Sequence, residues 1–209
     1  MYVKLKKKNN MKKILMMVVA AMMATVTVNA QQMFLKPMVG GTLSTLTGQD
    51  DAKMKFGFVG GAEFGYQVAD PFAVTVGALV SMQGAKMDDD KLIGLEDAST
   101  TLTYLNVPIL ANYYIIPGLA VKAGIQPGFL LSHKSKYTIL GEKEENTSTD
   151  ELKTFDLSIP LGLSYEFSDF VIDARYNLGL TKVNKDSKLL DKDMKNSVIM
   201  LTLGYKIPF

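Results

Sequence analysis

The chain of 209 residues has no cysteine, no tryptophan and a single histidine, His133. The missing cysteine removes disulfides, thiolate metal sites, a cysteine nucleophile and a lipid-modified cysteine together. Long apolar runs are lacking too. Ile14 to Val28, uncharged and mostly apolar, spans about 15 residues, short of the roughly 20 that a membrane helix needs. Every later apolar stretch is soon broken by polar residues or glycine. Acidic residues are absent from the first 30 positions, which hold six lysines; the remainder carries 17 basic against 21 acidic residues, a net of −4. That balance offers no nucleic-acid surface. At 47% hydrophobic and 21% charged, the composition excludes a disordered chain.

What the sequence does contain begins with an address. Lys4, Lys6, Lys7, Lys8, Lys12 and Lys13 precede the apolar run, and Val28-Asn29-Ala30 closes it. A basic start, an apolar middle and a small residue at the cut predict a secretory signal peptide over 1–30, with Met11 as an alternative start. One mature domain, 31–209, follows. An exported chain without an apolar helix either stays soluble or crosses a membrane as strands.

From Phe56 to Val68 the even positions (Phe56, Phe58, Gly60, Ala62, Phe64, Tyr66, Val68) separate from Gly57, Val59, Gly61, Glu63, Gly65 and Gln67. A period of two is the mark of a strand with unlike surroundings on its two sides. The split recurs in Phe72–Gln83, Tyr104–Tyr113, Leu119–Leu131, Phe155–Phe167, Phe170–Leu180 and Ile199–Phe209, and a weaker segment near Met33–Leu46 makes eight. The more apolar rows are free of charge, while the opposite rows hold Glu63, Lys122, Asp156, Glu166, Asp173, Arg175 and Lys206. Alternation alone does not say which row faces inward. The connections say more: they run long, short, long, short, with Asp70-Pro71, Ile115–Gly118 and Ser168-Asp169 as the short ones. That rhythm predicts an all-β, eight-stranded antiparallel up-and-down transmembrane β-barrel, short turns at one end and long loops at the other. Tyr205, Ile207 and Phe209 alternate to a terminal phenylalanine, which resembles the C-terminal signal by which outer-membrane barrels are recognised for insertion.

Tyr104-Leu105-Asn106-Val107-Pro108-Ile109-Leu110 with Tyr113-Tyr114, then Val121-Lys122-Ala123-Gly124-Ile125-Gln126-Pro127-Gly128, resemble the PorT-like outer-membrane β-barrel family of Bacteroidetes. Leu161–Phe167 and Asp173–Leu180 are similar to its later strands, so the likeness covers nearly the whole mature chain. The resemblance implies an eight-stranded barrel in the cell outer membrane, with a part in protein secretion for the founding member. No residue signature carries that role across.

Eight strands close around an interior that side chains fill. Glu63, Lys122, Glu166, Asp173, Arg175 and Lys206, three acids against three bases, are expected to pair there, because an unpaired charge in such a space is costly. Pro108, Pro127 and Pro160 each remove a ladder donor, so bulges are expected at them. Repeated glycines on the charged rows are read as room for neighbours. Gly57–Gly65 lacks the Gly-Lys-Ser/Thr ending of a phosphate loop. His133, with Ser132 and Ser135 beside it, is the one catalytic candidate. Adjacent strand residues point to opposite faces, so Ser132 serves His133 poorly. Asp88-Asp89-Asp90 lacks the spacing of a calcium loop.

No cofactor is expected. The first reading is a non-enzymatic integral outer-membrane protein, a surface, adhesion or secretion-accessory component. Its expected partners are outer-membrane lipid, the barrel-insertion machinery and an extracellular or secretion-system protein at the long loops. A soluble lipocalin-like barrel around a hydrophobic ligand is the alternative, and a lipid-modifying enzyme the third.

Overall fold

In the computed structural model, residues 33–47, 52–87, 95–139, 142–146, 153–182 and 194–209 are described. The signal segment and the aspartate triplet at 88–90 lie outside them. The alternating segments form β1 (Met33–Thr47), β2 (Ala52–Ala69), β3 (Phe72–Met87), β4 (Leu95–Asn106), β5 (Ile109–Ile116), β6 (Leu119–Ile139), β7 (Glu142–Asn146), β8 (Phe155–Phe167), β9 (Phe170–Gly179), β10 (Lys195–Tyr205) and β11 (Ile207–Pro208). Each pairs antiparallel with its neighbours, and β1 pairs with both β2 and β10, from Met38↔Gly204 to Thr47↔Lys195. The sheet therefore closes on itself as a ring.

Eight walls make that ring, because two of them are broken strands. β4 and β5 hold one register along β3 (Leu79↔Asn106, Val76↔Ile109) and along β6 (Asn106↔Gly128, Ile109↔Ile125). β11 likewise continues β10 against β1. Among the described residues, β7 pairs only with the upper part of β6. The short turns suit tight reversal: Gly118 has φ +84° and Ser168 has φ +54°, the left-handed backbone that two-residue hairpins need.

The register corrects two expectations. Pro108 interrupts its strand, but pairing passes it in constant register; no bulge lies at Pro108, Pro127 or Pro160. A proline loses its donor and keeps its acceptor. The Gly77 N–H donates to the Pro108 carbonyl at 2.8 Å, and the Val107 N–H to that of Pro127 at 2.8 Å. Register shifts fall elsewhere, among them those between Met54 and Val59, between Gln67 and Ala69 and between Thr103 and Tyr104. Strands also reach further than the alternation suggested. The long connection that follows the Leu119–Leu131 segment continues β6 to Ile139 and returns as β7. Past the membrane both faces meet water, so the two-fold contrast fades while backbone pairing persists.

The apolar rows face outward. Val39 is 65% exposed, Phe58 62% and Leu163 53%, whereas Glu63 is 0% and Arg175 2%. This overturns the soluble, ligand-enclosing alternative, which needs the greasy rows inside. The lumen has apolar layers of its own: Met38, Val59, Leu79 and Met200 pack together, as do Leu46, Ala85, Leu102, Tyr104 and Leu130 nearer the loops.

Candidate functional site

Four walls contribute to a charged cluster in the lumen. Asp173 and Arg175 are two residues apart on β9, so both point inward. The Arg175 guanidinium donates through Nε to Asp173 Oδ1 at 2.6 Å and through Nη2 to Oδ2 at 2.7 Å. Its Nη1 lies 2.5 Å from Glu63 Oε1 on β2. Lys36 on β1 is the direct cross-strand partner of Glu63; its Nζ is 2.8 Å from Glu63 Oε2 and 3.6 Å from Asp173 Oδ2. From β6, Lys122 donates to the same Asp173 oxygen. All five are buried. Gly77 supplies the space: a Cβ there would stand 2.8 Å from Glu63 Cγ and 2.9 Å from Pro108 Cγ.

A second layer lies at the short-turn end. The Tyr114 hydroxyl donates to Glu166 Oε1 at 2.6 Å, Lys206 Nζ donates to Oε2 at 2.7 Å, and that ammonium sits 4.5 Å from the Phe34 ring centre, within reach of a cation–π attraction. Asp156 stands apart nearer the loops, accepting from Thr181 at 2.5 Å and from Asn196 at 3.0 Å. The seven charges read from the sequence thus fall into three levels. Lys36, which the sequence reading missed, joins them and makes four acids against four bases.

The outward surface completes the picture. Aromatic rings gather at both ends of the apolar rows: Phe167–Phe170 at 5.8 Å, Phe170–Tyr205 at 5.3 Å and Phe64–Phe209 at 6.0 Å near the short turns, and Phe56–Phe58 at 5.1 Å and Phe129–Phe155 at 5.8 Å nearer the loops. An apolar band between aromatic girdles is how a barrel meets a bilayer. Residues 22–185 match the outer membrane protein beta-barrel domain family. The chain belongs to that family. As an outer membrane protein beta-barrel domain it is an integral outer-membrane protein in contact with lipid.

Similar solved structures include Ail, the attachment invasion locus protein of Yersinia pestis, at 20% identity and TM-score 0.48, covering 84% of this chain and 99% of that one. Neisserial surface protein A is 13% identical with TM-score 0.48, covering 84% and 97%. The outer membrane protease OmpT from Escherichia coli is 11% identical with TM-score 0.42, covering 88% and 100%. Among curated proteins none matches the chain.

Within this outer-membrane barrel, His133 contacts Ser135: Ser135 Oγ is 2.9 Å from His133 Nε2 and 3.4 Å from Thr100 Oγ1. The alternation that sets the adjacent Ser132 on the opposite face brings Ser135, two residues on, onto the histidine's own side. At the other end Tyr205, Ile207 and Phe209 are exposed, and the Phe209 N–H donates to the Met33 carbonyl at 3.1 Å.

Proposed function

We propose that this barrel is non-enzymatic and closed, a PorT-like surface, adhesion or secretion-accessory component that acts through its outer loops. One observation carries the reading: Lys36 and Lys122 meet on one oxygen of Asp173. β1 and β6 lie four walls apart in a ring of eight, so these side chains reach in from opposite sides. Tyr114, Glu166 and Lys206 bridge the lumen again nearer the short turns. A lumen crossed twice by paired charges is a rigid support for loops and a poor conduit. In planar bilayers the refolded protein is expected to give conductance near zero; a stable open channel would overturn the reading.

Export follows from removal of 1–30, leaving Gln31 as the mature N-terminus, and insertion from recognition of Tyr205, Ile207 and Phe209. Intact-mass measurement of the membrane-extracted protein checks the first. Crosslinking on intact cells identifies the loop partner. The His133–Ser135 contact favours a second reading, lipid hydrolysis with His133 as base for Ser135. Loss of a measured lipid-hydrolysing activity in His133→Ala would establish it.

A further inference from the structure

The lysines of this barrel are unevenly placed. Outside the lumen, those whose burial is described stand at the loop end: Lys53, Lys55, Lys86, Lys134, Lys153, Lys182 and Lys195, all exposed or half-buried. At the short-turn end the described lysine is Lys206, paired with Glu166, and Asp70 and Asp169 add negative charge. Two of the loop-end lysines, Lys53 and Lys86, are direct cross-strand partners and both exposed.

A cavity of about 520 Å³ opens at this end between the start of β8 and the end of β9, lined by Lys153, Thr154, Phe155, Leu180, Thr181 and Lys182. Its two strand ends are tied together: the Leu180 N–H donates to the Leu157 carbonyl at 2.8 Å, and the Leu157 N–H to Thr181 Oγ1 at 2.9 Å. Phe155 is 47% and Leu180 41% exposed, on the outward apolar rows. A lysine therefore stands two residues beyond each apolar wall, where the hydrocarbon gives way to head groups. A binding site with this layering takes a ligand that is anionic and hydrogen-bonding at one end and apolar at the other. The cavity's volume falls in the range of small-molecule sites.

We propose that the loop-side rim binds a phosphorylated glycolipid of the outer leaflet, with Lys153 and Lys182 on its phosphate and Phe155 and Leu180 against its acyl chains. The membrane side named here rests on the loops facing outward; the binding itself does not, and the test reports binding whichever way the barrel is inserted. Lysines at a membrane surface attract anionic head groups individually, and two around one phosphate act together.

The test is native mass spectrometry of the full chain refolded in detergent, titrated with bisphosphorylated lipid A. A one-to-one adduct is expected, about thirtyfold weaker in K153Q/K182Q and retained in K153R/K182R, with heat-modifiable gel mobility certifying the fold of each variant. Dephosphorylated lipid A is expected to lose the adduct, and inorganic phosphate alone to leave it uncompeted. Equal binding by the folded K153Q/K182Q variant overturns the proposal. So does equal binding of dephosphorylated lipid A or of phosphatidylglycerol, and so does displacement by inorganic phosphate, which would make this a free-anion site.

Discussion

Asp173 holds three cations at once, Arg175, Lys122 and Lys36, and that sets its expected sensitivity. Asp173→Ala leaves three buried positive charges against Glu63 alone, a loss of about 3–5 kcal/mol, read as a lower urea midpoint in lipid vesicles. Gly77→Val forces side-chain atoms onto Glu63 and Pro108, at a cost of ~1–3 kcal/mol for overpacking. The same denaturation series measures it. At this scale the inward rows were legible from alternation, down to Glu63 and Arg175. Lys36 was not, because glycines, threonines and serine in the upper half of β1 blur the contrast between its faces. Its role becomes visible only when Glu63 is set opposite it by the register.

Elements behave as the two-fold period says where lipid lies on one side, and less so where water lies on both. The upper reaches of β2, β3, β4 and β6 are strands by pairing and not by pattern. Proline shows the same division: Val107-Pro108 breaks a strand without shifting its register, because Gly77 of β3 still donates to the Pro108 carbonyl and Val107 still donates to the Pro127 carbonyl of β6. The last element is tied to the first through Phe209 and Met33 and carries its aromatic ring against Phe64. Removing Phe209 is expected to lower the fraction of heat-modifiable protein recovered in outer membranes. Unchanged recovery would show that this residue has no part in insertion.

For the whole molecule, orientation is the property that function depends on. Short turns lie together at one end and long connections at the other, the arrangement of barrels whose loops face outward. Protease added to intact cells is expected to cut between Met87 and Leu95 or between Asn146 and Lys153, and to spare Asp70-Pro71, Pro117-Gly118 and Ser168-Asp169. Cleavage confined to the short turns would reverse the assigned sides and the place of the lysine rim with them. The low conductance expected of the filled lumen belongs to this scale as well, since no single wall closes it.

By itself the sequence determined which side of each strand is oily and where the chain reverses, because these depend on neighbours one or two residues away. The tertiary structure alone decided that Lys36 and Lys122, far apart along the chain, share an oxygen of Asp173, and that Lys153 and Lys182 flank one cavity. Such meetings depend on the stagger accumulated around a closed ring of eight walls, and no local spacing records it.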